Sequence, residues 1–513
     1  MKKRKYLVYG ISLMIVLLIG LTYAYFSIII LGEKKKVTVN TTDLRIVFDN
    51  GDDIEGINVE PGWSITKTFS VENKTNYEYK YNLVFKDLIN TFVTKGYLVY
   101  KITSTDGGYN MTEYVDIPKS NTFSDAIIEY SISIASNKKH NYTIELKYIN
   151  DVNVDQGDDM GKELSANIYI ESGTEKPILL SEAILRDNPT ISERTDFSVT
   201  NVSNTTGTIY KTNKTEDGSD VYYYSGNTTK NWIKFGDFYW KIIRTNEDGS
   251  VRLLYSGTSP DTIIATIGSS VFNNNYDDAM YVGYMYGTSG SLENNRTNEN
   301  DSTIKTFIDT WYENNLLNKY DKFIGRSAIY CNDRSYDSSK YSYSSGGFYY
   351  SSHTRLSASK TPTYKCGGDG AGGLFESIQA IADKFSASTS GGGNGQLRYP
   401  IALMTADEVV FAGGNIGTAL TSPYAWFYTN SLGESIMGVN NWWVMSPYAW
   451  RNSYSGLLRI YGSNNPGYIY NNYVNSSIAV RPVISLKACV NIKSGNGTVE
   501  KPYELYYEGS CNW

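Results

Sequence analysis

Between residues 36 and 171 the chain alternates apolar and polar side chains almost without a break, and a period of two excludes a helical fold for this third of the molecule. In YEYKYNLVF, Tyr77, Tyr79, Tyr81, Leu83 and Phe85 share one face against Glu78, Lys80 and Asn82, and YTIELKY repeats the pattern with Tyr142, Ile144, Leu146 and Tyr148. Further strands are expected at 44–48, 64–71, 97–103, 127–134 and 164–170, with Asn, Asp and Gly clusters between them. Several short strands with regular turn signals predict an all-β sandwich of jelly-roll or immunoglobulin-like type.

The residues ahead of this stretch set the expected compartment. Lys2, Lys3, Arg4 and Lys5 precede an uncharged apolar run, residues 6–31, that is long enough to cross a bilayer. The basic cluster predicts an N-terminal transmembrane helix with its N-terminus in the cytoplasm and the bulk of the protein outside the cell. A competing reading is a secretory signal cleaved near Thr22 and Ala24, which would release the protein; the apolar run continuing through Ile28 and Leu31 favours a retained anchor. Four cysteines, Cys331, Cys366, Cys489 and Cys511, form an even set without a C-x-x-C pair, which suits disulfides in an oxidising compartment. Of the three connectivities, the local one (Cys331 with Cys366, Cys489 with Cys511) is expected first, and the sequence leaves the others open.

At 513 residues the chain has room for two or three domains. A net charge of -6 and no Lys/Arg cluster beyond residue 36 exclude a nucleic-acid-binding face. Only two histidines, His140 and His353, are present, and His353 reads as a surface residue. With no H-E-x-x-H and no Ser-His-Asp set, no enzyme activity is expected. Asp151, Asn153 and Asp155 have calcium-loop spacing, but Gly157 is one residue late and Lys162 takes the closing acidic position, so neither metal nor cofactor is expected. Asp407 and Glu408 are adjacent carboxylates that a capped helix start explains through its dipole.

Residues 172–229 read as a connector, with one short helical run before Pro189 and then a Thr, Asn and Ser-rich stretch. Residues 230–513 read as one α+β domain. It opens with two strands around an Asp248-Gly249 turn, continues with amphipathic helices near 302–316 and 374–385, and carries a capping box at Thr405 and Glu408. The segment AVRPVISL is expected as a central strand, with Arg481 a candidate for a buried ion pair, and Trp442, Trp443 and Met445 as core.

Two resemblances accompany these readings. The segments TYAYFS, EPGWSITKTFSVENKTN and DQGDDMGKELSANIYIE make the first third similar to the TasA/camelysin group of bacterial surface and biofilm-matrix proteins, which implies export, a jelly-roll-like sandwich and, in some members, fibre formation. The segments FGDFYWKIIRTNEDGSVRLLY, YPIALMTADEVVFAGG, WWVMSP and AVRPVISLK with GNGTVEKPYEL behind it make the remainder resemble an uncharacterised family of bacterial surface domains. That family implies a C-type-lectin-like fold related to formylglycine-generating enzymes, with loops near the C-terminal strands forming a binding face.

Residues 448–477 fit such a face. Of these 30 residues, 17 are Tyr, Asn or Ser, and the only charges are Arg451 and Arg459. Tyr and Trp supply stiff contact area with a polar handle, and Asn and Ser supply adaptable hydrogen bonds, the composition that binding loops use. The expected ligand contacts are Tyr448, Trp450, Arg451, Tyr454, Arg459, Tyr461, Asn464, Tyr468, Tyr470, Asn472 and Tyr473. The sequence thus predicts a membrane-anchored surface protein that presents a ligand-binding head for an extracellular protein or glycan on a sandwich spacer. The alternative is a structural matrix subunit that assembles through the sandwich.

Overall fold

The computed structural model describes residues 27–511 apart from 31–35, 42–43, 50, 53, 58, 296, 337–346, 367–382, 389–394, 452 and 508–510. The chain divides into two compact units at Lys176 and Pro177.

The first unit is two β-sheets over a shared core. One has five strands, ordered Ile54–Ile57, Ser27–Ile30, Glu163–Ser172, Tyr79–Asn90, Ser120–Ile134; the other has six, ordered Lys36–Thr41, Leu44–Asp49, Ser64–Asn73, Lys139–Tyr148, Leu98–Ser104, Val115–Asp116. The alternation seen in sequence is the cause. His140, Tyr142, Ile144, Leu146 and Tyr148 point inward from one strand, and the last four meet Leu83, Phe85 and Ile168 of the facing sheet in one cluster. The candidate calcium loop holds structure together instead. Asp159 is fully buried, accepts from the backbone N–H of Val93 and Thr94 at 2.6 and 3.0 Å, and takes the Tyr148 hydroxyl at 3.0 Å.

The expected transmembrane helix needs correction. Ser27–Ile30, the last part of the apolar run, is a strand that pairs in parallel with Glu163–Ala166 and antiparallel with Ile54–Ile57. Those residues are committed to a sheet ladder and cannot also complete a membrane span. Residues 1–26 lie outside the described residues, and among the described residues no helix is long and apolar enough to cross a membrane. The single-pass anchoring and membrane partnership expected from sequence are therefore set aside. A tetrapeptide such as SIII, apolar at three of its four positions, is too short to show a periodicity, so helix and strand cannot be told apart there.

The second unit, expected as an α+β C-type-lectin-like head, has more strand than helix and much irregular loop. An eleven-stranded sheet and a six-stranded sheet share one large core, and the longest described helix is Thr303–Asn315. The region expected as a connector is built into this unit. Ile178–Leu179 pairs with Asn491–Ser494, the helix Leu180–Asp187 buries Leu180, Ala183 and Ile184, and Thr190–Ser192, Thr208–Thr212 and Val221–Tyr223 extend the large sheet. At the centre, Phe238–Thr245 and Val251–Tyr255 form the expected hairpin, with Gly249 at φ 78° where a side chain would be strained. Pro482–Leu486 pairs on both sides, with Val251–Leu254 and Ala402–Leu403, so AVRPVISL is central. Pro482 opens the strand, where a missing N–H is tolerated. Cys331 is bonded to Cys366 and Cys489 to Cys511, the local pairing. The helix expected near 374–385 falls largely on residues outside those described.

Candidate functional site

Most of the expected contact residues lie on three strands of the smaller sheet: Trp442–Arg451, Tyr454–Ile460 and the last strand of its order, Ile469–Tyr473. The ladder sets Arg459 opposite Tyr470, Leu457 opposite Asn472 and Gly456 opposite Tyr473. Rings then run across the sheet: Tyr461 to Tyr468 at 5.6 Å between centroids, Tyr468 to Tyr470 at 5.8 Å, and Tyr470 to Tyr448 at 6.4 Å. The guanidinium of Arg459 lies 4.3 Å from the Tyr461 ring centre and donates to its hydroxyl at 2.8 Å, while Arg451 covers Tyr349 at 4.8 Å. Tyr454 and Tyr473 make a separate pair at 4.4 Å, and Asn464 sits exposed in the turn between strands.

Burial divides the set. Tyr470 and Tyr473 are 44% and 47% exposed, whereas Tyr448 and Trp450 are buried at 5% and 7% and cannot be direct contacts. Trp442–Trp450 is buried at every position because both faces of that strand are covered. Tyr448 instead supports the array from below, packed against His353 at 4.5 Å and Tyr349 at 5.4 Å. Trp442, Trp443 and Met445 are core residues.

His353 is not the surface residue expected from sequence. Its ring is largely enclosed between Tyr349 and Tyr448, and its Nδ1 is buried without a partner among the described residues. Burial first, then the charge of Lys360, push its pKa down to about 4. A histidine held neutral in the fold but free to protonate when unfolded stabilises fully above its unfolded pKa of about 6.5 and loses that contribution as pH falls toward 4. After discounting for its partial exposure, the loss is about 2 kcal/mol. Urea melts of the parent and of His353→Phe between pH 7 and 4.5 should therefore diverge, the variant keeping more of its stability at the acid end.

A second feature was not anticipated. A cavity of about 350 Å³ in the second unit is walled by Arg244 and Arg252 of the central hairpin, Arg355, and Asp333, Asp407 and Glu408. Glu408 opens the helix Ala406–Phe411; one of its oxygens closes the capping box on Thr405 at 3.0 Å, and the other lies 2.6 Å from Arg252 Nε and 3.4 Å from Arg244 Nε. Asp407 holds Arg355 through two bonds, 3.1 and 2.8 Å, and accepts the Thr363 N–H at 2.9 Å. Asp333 takes Arg355 on one oxygen at 3.4 Å with the Ser351 hydroxyl, and Ser335 on the other. Burial alone would lower the basicity of Arg355; Asp407 and Asp333 outweigh it and leave the pKa raised. Sequence reading assigned Asp407 and Glu408 to the helix dipole, a sufficient local account whose partners arrive only through the fold.

Arg481 also departs from expectation, because it has no carboxylate partner among the described residues. It donates to the carbonyls of Tyr255 and Phe427 and lies 4.1 Å from the Trp442 ring centre.

Among the described residues no group of three or more His, Cys, Asp or Glu side chains could hold a metal ion. No family model matches the chain, and no curated protein does. A solved structure titled "AvmM Catalyzes Macrocyclization in Alchivemycin A Biosynthesis" aligns with 28% of this chain and 98% of its own at 15% identity and a TM-score of 0.13, a likeness too slight to carry an argument.

Proposed function

We propose that this is an extracytoplasmic recognition protein whose second unit binds a protein or glycan ligand on the tyrosine-lined edge of its smaller sheet. The observation that carries this reading is the array Tyr461, Tyr468 and Tyr470 beside Arg459 and Arg451, on a stretch without a single carboxylate. Aromatic rings flanked by guanidinium groups and free of Lys, Asp and Glu are the composition of interface centres. Two disulfides favour an oxidising compartment. Binding, with no bond made or broken, is the activity proposed.

The test is binding of the whole chain to arrays of glycans and bacterial surface proteins, beside a variant with Tyr468, Tyr470 and Tyr473 changed to alanine. Loss of one aromatic anchor at an interface centre costs about 2 kcal/mol or more, so even if only one of the three rings is an anchor the variant should bind at least about 30-fold more weakly with an unchanged melting profile. Equal binding by both proteins would move the site off this sheet, and binding by neither would remove the recognition reading.

One observation favours the structural alternative. Ser120–Ile134 is the last strand of its sheet, 15 residues long, with Phe123 72% exposed. Open edges of that kind template association between copies. Repeated register shifts against Tyr79–Asn90 bend this edge, which is how natural proteins discourage such pairing. Concentration-dependent sedimentation that Phe123→Asp abolishes would support assembly; a monomer throughout would leave the first unit as a spacer.

A further inference from the structure

We propose that the cavity walled by Arg244, Arg252 and Arg355 binds a small amino-acid-like zwitterion, a molecule carrying one carboxylate and one ammonium group. The site is separate from the tyrosine array and does not depend on it.

The six charged side chains of the wall are at most 8% exposed, so each polar atom must find a partner in the protein or in what the cavity holds. The acceptors are used up. Both oxygens of Asp333, Asp407 and Glu408 already take protein donors or lie against a guanidinium. The donors are not. Arg244 spends Nη1 on the Thr245 carbonyl and Arg252 spends Nη1 on the Ile329 carbonyl, and Nη2 of each meets no acceptor among the described residues. The Tyr364 ring stacks on Phe411 at 4.3 Å beneath the Arg244 guanidinium, and its hydroxyl is enclosed with no partner among the described residues. Burial drives the pKa of that hydroxyl well upward, so it stays a neutral donor. A cavity with spare guanidinium donors and no spare acceptor is matched by a group that only accepts, and a carboxylate suits the forked geometry best.

The mouth has the opposite character. Glu216, Asp217, Glu247 and Asp248 line it; Glu216 is paired with Lys384 at 2.6 Å and Glu247 lies 3.8 Å from Arg244, which leaves Asp217 and Asp248 as its carboxylates with no cation partner among the described residues, against Lys365. An anion alone would be repelled on approach, and a cation alone would find nothing to satisfy the inner donors. A molecule bearing both charges meets both demands, and about 350 Å³ is the space of a small metabolite, not of a polymer. The Cys331–Cys366 disulfide fixes the segment carrying Thr363, Tyr364 and Lys365 in the wall, which gives the site a preformed shape.

The test is calorimetric titration of the full chain with each free L-amino acid in turn, and with acetate and methylammonium as carriers of one charge only. At least one amino acid should bind saturably and at least tenfold more tightly than either single-charge probe. Ser327→Trp, at an exposed position of the lining, should abolish this binding, and Asp217→Lys, also exposed, should weaken it several-fold. Tyr364→Phe should weaken it too without lowering the melting temperature. Failure of every amino acid to bind, acetate binding as tightly as the best of them, or undiminished binding in both Ser327→Trp and Asp217→Lys would each overturn the proposal. Because both exposed substitutions leave the buried ion pairs in place, loss of fold cannot stand in for loss of the site.

Discussion

A chain carrying Glu408→Ala is expected to lose about 3–5 kcal/mol of stability in its second unit. The carboxylate lies 2.6 Å from one buried guanidinium and 3.4 Å from another, and removing it leaves Arg252 and Arg244, 2% and 8% exposed, as neighbouring charges without their shared counterion. The substitution also deletes half of the capping box, about 1 kcal/mol by itself. Glu408→Gln separates the two effects: it still accepts from the Thr405 N–H but carries no charge, so it should fall between parent and alanine variant. Urea melts followed by tryptophan fluorescence measure the difference. A loss under about 1 kcal/mol for Glu408→Ala would mean that water, not the fold, screens these arginines, and would weaken the view of the cavity as a dry, donor-rich site.

The same cluster shows what sequence could reveal. The first unit was legible because each of its strands buries one face, and that constraint writes a period of two into the chain, as in Lys139–Tyr148. The ladder of Ser27–Ile30 was not legible, since a strand that is apolar at nearly every position resembles the end of a helix. Thr190–Ser192 and Thr208–Thr212 failed for a different reason. They are short and Thr-rich, with Ile209 alone reaching the core, and they join the sheet through backbone hydrogen bonds that any side chain permits, so with the Asn and Ser residues around them they resemble a linker.

The candidate site divides along similar lines. Composition marked residues 448–477 as unusual, and Tyr470 and Tyr473 on the last strand of the sheet are exposed as a contact requires. Tyr448 and Trp450 share that composition but lie on a strand covered on both faces, a property of the sheet's neighbours and not of the residues themselves. The charged cavity was invisible for the opposite reason. Its arginines and carboxylates come from separate segments, each with an adequate local explanation, and only tertiary packing shows that the donors outnumber the acceptors.

Arg481→Met is expected to cost the second unit about 3–5 kcal/mol, although it replaces a buried charge by an apolar side chain of similar length. Replacing buried ions with hydrophobic groups is often neutral when both partners of an ion pair are removed together. Arg481 is not in that position, because its partners are backbone carbonyls that no substitution removes. Nε and Nη2 donate to the Tyr255 carbonyl at 3.2 and 3.0 Å, and Nη1 donates to the Phe427 carbonyl at 2.8 Å. Orphaning two buried acceptors costs about 1–3 kcal/mol each, and the contact with the Trp442 ring is lost as well. Against this stands the relief of a cation that burial holds well below its usual basicity, next to a second buried cation, Lys241, whose own pKa is lowered by burial and by Arg481. Lys241 donates to the carbonyls of Trp426 and Thr429, so the two side chains together tie residues 426–429 to the central sheet. The carbonyl term should win, because these acceptors have no route to water once the donors are gone. Arg481→Lys decides the balance: it keeps the charge but cannot span both carbonyls, and it should therefore destabilise nearly as much as methionine. If Lys were tolerated and Met were not, charge rather than hydrogen bonding would be what this position supplies.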